Sequence, residues 1–456
     1  PVGEQVGHHE RRALVGHVQH LHAGERVELR PGDDAAAAWQ ALKDARVRPG
    51  LDPALQDLDG LPVFSARAPG LDLTDWLLAH GEFSMPGAAP LPDQVLRTLA
   101  LLEGPLHALM DALDEWRPSP SADAHLIEIG EPSASTSLPA DAPSHLSGVG
   151  RSGGSTWRQA RAERAPRLSV RVCLPSTWGR DEHDQAVAWV RSQCGALLDW
   201  TDAHGAPPPE WQTEPLADGD GPESIWSERA VNWSVWSSSP RPQLLLLLAA
   251  DTAVDEACIA QWQAKGDLFT SQHQRGRVPG EAAVGLLLAN PAWADGCRTP
   301  STSEPLGGVA ALRASEDIGA CPQMWWPQQA LRERSADVIG RVDGLCTQTL
   351  LQGVAQRTAL PADGDWLVVS DGDHRASRTA EVFEALLAAR PQADPMLSVV
   401  RVGDGCGDVG SARSLTSVAL ASAALRQGEP VALALALMVQ DAWQRVAVPL
   451  TRRPQA

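Results

Sequence analysis

From Leu244 to Leu248 the chain carries five consecutive leucines, bounded by Pro242 and Asp251, and from Val431 to Met438 every position is again apolar. Such runs have no polar face, so each reads as a strand covered on both sides. Neither approaches the roughly 18 apolar residues that a membrane-spanning helix needs. Arg167–Leu174 alternates like a half-buried strand, and Trp366–Ser370 and Met396–Val402 are two more short strand-like runs. Helical spacing appears between them. Residues 91–116 place Leu96, Leu99, Leu102, Leu106, Leu109 and Leu113 on one stripe, and 35–45, Asp184–Trp200, Ser224–Trp236, Asp251–Trp262 and the segment ending at Leu425 read as further helices. Strands alternating with helices predict an α/β protein.

Turn-forming residues divide this pattern. From Pro118 to Ser155 the chain is rich in Pro, Ser, Ala and Gly, broken only by the strand-like His125–Ile129, which predicts a linker over 118–164. The expected organisation is a divergent N-terminal region at 1–117, that linker, and one large domain at 165–456. Proline-bearing polar stretches at 203–222 and 291–322 read as loops within the domain.

Charge narrows the partners. With 57 acidic residues against 38 lysines and arginines the formal charge is −19, which disfavours nucleic acid and anionic lipid and suits a protein with a basic surface. The seven cysteines (173, 194, 258, 297, 321, 346 and 406) form no CxxC, an odd count that points to reduced thiols and a cytoplasmic setting. Seventeen tryptophans and no tyrosine hint at large contact surfaces. His17 and His20 would share one face of a helix, yet no Cys or paired carboxylate completes a metal site, and no metal is expected.

The densest signal is Gly403-Asp-Gly-Cys-Gly-Asp-Val-Gly410 between a strand-like run and a helix. As GxGxxG, Gly405–Gly410 would cradle a dinucleotide, but that needs an acidic residue about 20 positions on and further βα units. Asp441 stands too far along and only fifteen residues follow it, so no nucleotide cofactor is expected. A second reading covers more of the chain. The glycine loop resembles the G-N-I-G-H-T-like loop of β-ketoacyl synthases, which opens a long buried helix before two closing antiparallel strands, here Val431–Val439 and Gln444–Leu450. Gln243–Asp251 resembles the synthase strand ending in a G-G-V-D-like turn, and Gly276-Arg-Val-Pro-Gly-Glu-Ala-Ala to Leu288 resembles its P-G-E-G-A segment. The resemblance implies a thiolase-like layered fold, α-β-α-β-α, with the N-terminal region supplying an eroded first half, and a homodimer is one arrangement it allows.

Enzymes of this family attack an acyl thioester with a cysteine at a helix start, while two histidines stabilise the oxyanion. The resemblance places that cysteine near Asp218–Ser224, where none stands; Cys194 is too far upstream, Cys258 follows the strand, and Ser224 has no base supplied to it. Ser411 occupies the second histidine position. His374, in Asp371-Gly-Asp-His-Arg, is close to the first. No intact catalytic set is expected, and the residual candidates are His374, Ser411 and Cys406, whose place at a helix start favours a thiolate. Trp325-Trp326, between Pro322 and Pro327, is expected as an exposed partner-binding anchor. The resulting expectation is a catalytically inactive, thiolase-like adaptor, chaperone or assembly factor. Its D-G-D-x-R and G-D-V-G patterns resemble synthase-like proteins associated with type VI secretion effectors. The alternative is an acyl-transferring or condensing enzyme with a rearranged site at Cys406 or His374.

Overall fold

A computed structural model describes residues 13–19, 35–81, 89–115, 167–195, 208–212, 222–227, 231–296, 322–338, 343–358 and 364–452. Its strands are β1 (Ala13–Gln19), β2 (Gly50–Gln56), β3 (Pro62–Ser65), β4 (Arg167–Cys173), β5 (Glu210–Gln212), β6 (Gln243–Thr252), β7 (Glu281–Ala289), β8 (Gln323–Met324), β9 (Gln328–Leu331), β10 (Trp366–Ser370), β11 (Val399–Arg401), β12 (Leu433–Met438) and β13 (Gln444–Thr451). All but the β2–β3 hairpin join one sheet, ordered β11-β10-β12-β13-β8-β1-β7-β6-β4-β5, with β9 added to β13.

That order contains one pattern twice. In the first half β5, β4 and β6 are parallel, β7 is antiparallel to β6, and β1 follows antiparallel; in the second, β11, β10, β12, β13 and β8 repeat every relation. The side-chain period of two then sorts each strand's residues into separate layers. Leu245, Leu247 and Ala249 of β6 join Ala434, Ala436 and Met438 of β12 in a central core around the helix Arg413–Arg426. Leu244, Leu246 and Leu248 face the opposite way, onto the helices Asp93–Glu115 and Arg180–Gln193. Leu433, Leu435 and Leu437 face the helices Leu345–Thr358 and Ala376–Ala389. The result is five layers, α-β-α-β-α.

The layers explain the sequence. Both all-apolar strands are apolar because each lies between two helical layers, and residues 414–425 of the central helix are buried without exception. Two of its polar members are satisfied locally, the Thr416 hydroxyl donating to the Ala412 carbonyl at 2.9 Å and that of Ser417 to Arg413 at 3.3 Å, while the buried Ser422 hydroxyl finds no partner among the described residues. The leucine stripe of Asp93–Glu115 packs on β6 and β7, close enough that a Cβ on Gly285 would lie 2.2 Å from Leu109 Cδ1. β1 and the helix Asp93–Glu115 therefore share one sheet and its cores with the described elements after Arg167.

Several expected elements differ. Met396–Val402 is a short helix, Pro395–Ser398, followed by β11, because the Asp394 carboxylate accepts from Met396 N and Pro395 suits the first helical turn. The helix expected at Asp184–Trp200 runs Arg180–Gln193. Ser224–Trp236 is broken into a 3₁₀ turn, Pro222–Trp226, and a helix, Trp233–Ser238, that the Asn232 side chain caps. His17 sits in β1, so its backbone is not the helix that would pair it with His20. His20, the strand-like His125–Ile129 and the linker at 118–164 lie outside the described residues.

Candidate functional site

The glycine loop and the segment before β7 are locked together. Asp408 N donates to the Val278 carbonyl at 2.8 Å, Gly407 takes a φ of +66°, and a Cβ on Gly280 would lie 1.9 Å from the Cys406 carbonyl oxygen. Gly410, at φ +47°, is pressed against the end of β6, where a Cβ would lie 2.0 Å from Asp251 Oδ2. Beneath this contact, Glu281 is fully buried and accepts from Arg97 Nε at 2.6 Å and Nη2 at 2.7 Å, from the Thr252 hydroxyl at 2.9 Å and from Ala68 N at 2.5 Å. The glycines are thus structural at this point: they let two backbones and a carboxylate meet.

A cavity of about 530 Å³ opens beside the loop, its wall including Asp251, Thr252, Cys258, Trp262, Arg277 and Asp408. Asp251 Oδ2 accepts from Ser411 N at 2.7 Å. The Asp408 carboxylate lies 3.6 Å from Arg277, whose guanidinium stacks 5.5 Å above the Trp262 ring. Burial pushes the Asp251 carboxyl up to about 6; the Ser411 N–H opposes the rise and the Asp408 charge adds to it. The folded state therefore holds this proton more tightly than the unfolded chain. Ionised Asp251 costs stability above pH 6, on the order of 3 kcal/mol at most, and nothing below about pH 4.

The sequence candidates land in different surroundings. Ser411 reaches the cavity wall, but its hydroxyl is buried and donates to the Ala250 carbonyl at 2.9 Å. His374 lies away from the cavity wall, edge-on to Phe269 at 5.0 Å, with Nε2 3.2 Å from the Gln274 carbonyl oxygen. Its neighbour Asp373 forms a forked pair with Arg375 Nε at 3.0 and 2.9 Å; burial raises that carboxyl, and the Arg375 charge overrides it to hold the carboxyl below the usual range. The thiolate expected at Cys406 is corrected. Its side chain is fully buried in the central core, and that desolvation pushes the thiol up to about 12. Cys258 reaches the cavity, and burial followed by the nearby Asp251, Asp255 and Asp408 charges pushes it up to about 12 as well.

The expected exposure of Trp325-Trp326 is corrected too. Trp325 is buried with its indole N–H on the Thr451 hydroxyl at 3.0 Å, and half-buried Trp326 donates to the Ser237 hydroxyl at 3.2 Å. Both residues do lie in the short connection between β8 and β9, as the flanking prolines suggested, but that connection is packed and not exposed. Ser224, in the turn packed on Gly410–Ala412, has no base among its described partners. Around it Trp226 and Trp233 stack at 5.8 Å, with Trp236 edge-on to Trp233 at 5.9 Å, filling the central layer. Arg97 is not singled out in the sequence, and Glu281 and Asp408 read there only as members of their motifs. The available signal was Glu281, an ionisable residue opening an otherwise apolar strand.

No protein-family model matches the sequence, and no curated protein does. Solved structures do match. A type II polyketide synthase acyl carrier protein in complex with its ketosynthase bound to the hexaketide, AntDE:AntF, aligns over 97% of this chain and 100% of its own at 10% identity and a TM-score of 0.53. The PfaC keto synthase–chain length factor aligns over 100% of this chain and 44% of its own, at 10% identity and a TM-score of 0.52. The chain is a thiolase-fold, ketosynthase-like protein in its architecture. Among the described residues, no helix is long and apolar enough to cross a membrane.

Proposed function

We propose that this chain is a catalytically silent member of the ketosynthase-like architecture and works by holding another protein, as an adaptor, chaperone or assembly factor. One observation carries the reading: the turn Pro222–Trp226, which packs on the glycine loop where the family's nucleophile helix would begin, holds no cysteine and no histidine and leads into a tryptophan cluster. Ser411, which the resemblance sets in the family's histidine position, supports it: a serine offers no imidazole to stabilise an oxyanion, and its hydroxyl is engaged by the Ala250 carbonyl. A partner with a basic face suits the charge of −19, and a second copy of the chain is the other arrangement. Work for type VI secretion effectors rests on the sequence resemblance alone. The test is to tag the protein in its native host, isolate it under mild salt and identify what accompanies it by mass spectrometry. A stoichiometric protein partner, released as salt is raised, is the expected result. Isolation of the chain alone, with turnover of an acyl thioester, would overturn the reading.

A further inference from the structure

The cavity beside the glycine loop joins two features that an apolar pocket does not have. First, the Asp251 carboxylate stands at its wall with no ion-pair partner among the described residues, although Arg277 and Arg413 line the same cavity; its hydrogen bonds come from Ser411 and the Thr252 N–H, and the charge that acts on it is a second carboxylate, Asp408. Second, the ionised form costs the fold stability, so packing gives no reason for a carboxylate at this position, where asparagine would accept the same Ser411 N–H without the charge. A recessed anion held at a thermodynamic cost beside a cavity is what a cationic ligand would neutralise. The rest of the wall sets the ligand's size and body. Some 530 Å³ is room for a small molecule, and Ala253, Ala257, Cys258 and the Trp262 ring offer apolar surface for a short carbon chain.

We infer that this cavity binds a small aliphatic amine, with its ammonium group against the Asp251 carboxylate and its carbon chain along the Trp262 side of the wall. The assignment is independent of whether the chain also holds a protein partner. An ammonium brings three donors and a full positive charge to a carboxylate otherwise held by hydrogen bonds from Ser411 and the Thr252 N–H, and the interaction gains from being recessed from bulk water. The charge of −19 adds a long-range attraction for cations. A fatty acyl chain, by contrast, would have to lie against Asp251, Asp408 and Arg277 and leave their charges desolvated.

The probes are n-butylamine and butyrate, which match in chain length and differ in charge, titrated into the full chain at constant ionic strength and followed by ligand-observed NMR and calorimetry. Saturable binding of butylamine and none of butyrate is expected. Asp251→Asn should fold, since it keeps the acceptor for Ser411 N and removes the charge, and should weaken butylamine at least tenfold. Cys258→Phe, which fills the cavity and leaves Asp251 in place, should weaken it as much and serves as the test if Asp251→Asn does not fold. The proposal is overturned if butylamine does not saturate, if butyrate binds as well, or if the folded variants keep wild-type affinity.

Discussion

Glu281→Ala is expected to cost about 3–5 kcal/mol of folding stability, the range for removing one partner of a buried ion pair. The side chain is fully buried and ties four parts of the chain together: Arg97 from the long outer helix, Ala68 after the hairpin, Thr252 at the end of β6, and β7 itself. Alanine would leave the buried Arg97 guanidinium without its hydrogen-bonded counter-charge, the Thr252 hydroxyl proton without its acceptor and the Ala68 N–H unpaired. Glu281→Gln keeps the shape and one acceptor, so it should lose less, while the buried cation still lacks its counter-charge. Urea unfolding checks both. A loss under about 1 kcal/mol for alanine would mean that the pair breaks even against its own desolvation.

Gly280→Ala should have the second large effect. The methyl group would sit 1.9 Å from the Cys406 carbonyl oxygen, a backbone atom that cannot rotate away. The glycine loop would have to retreat, although it is held by the Asp408 N–H on Val278 and by Gly407 at φ +66°. Overpacking of this kind costs about 1–3 kcal/mol, and backbone against backbone belongs at or above the upper end. Gly195→Ala is the control: like Gly280 it has no positive φ, but nothing lies within 4 Å of its Cβ position, so stability should change by only about 0.5 kcal/mol. Equal losses in the two variants would show that the close approach is not what selects glycine at 280.

Much of this architecture was legible in the sequence because burial on both faces leaves a composition that nothing else explains. The Leu244–Leu248 and Val431–Met438 runs, the leucine stripe of 93–115 and the apolar segment ending at Leu425 all became the elements they resembled. Elements set by tertiary contacts were less legible. Met396–Val402 is strand-like by composition, yet a single capping aspartate before Pro395 turns its first half into a helix. The Trp226, Trp233 and Trp236 spacing suggested one helix, but ring stacking in the central layer holds a turn and a helix instead.

The candidate site was half legible for a related reason. The glycine loop announced itself through residue type, and so did the absence of a cysteine near residue 224. The states of the groups around the loop did not. Cys406 ends the one-turn helix Gly403–Cys406 instead of starting one, and it is buried in the central core, so neither a helix start nor water favours its thiolate. Asp251 read as an ordinary helix-opening aspartate, since its partner Ser411 lies 160 residues away. Trp325-Trp326 looked exposed because prolines flank it, and the strand pairing of β8 and β9 with β13 is invisible at short range.

If the proposed catalytic silence of this ketosynthase-like fold holds, no residue of the chain becomes acylated. The direct measurement is intact-mass analysis after incubation with acyl-CoA and with an acyl thioester on a carrier protein, followed by peptide mapping. An unmodified mass at every time point is the expected result. A stable acyl adduct on Ser224, or on any other residue between 215 and 226, would contradict it.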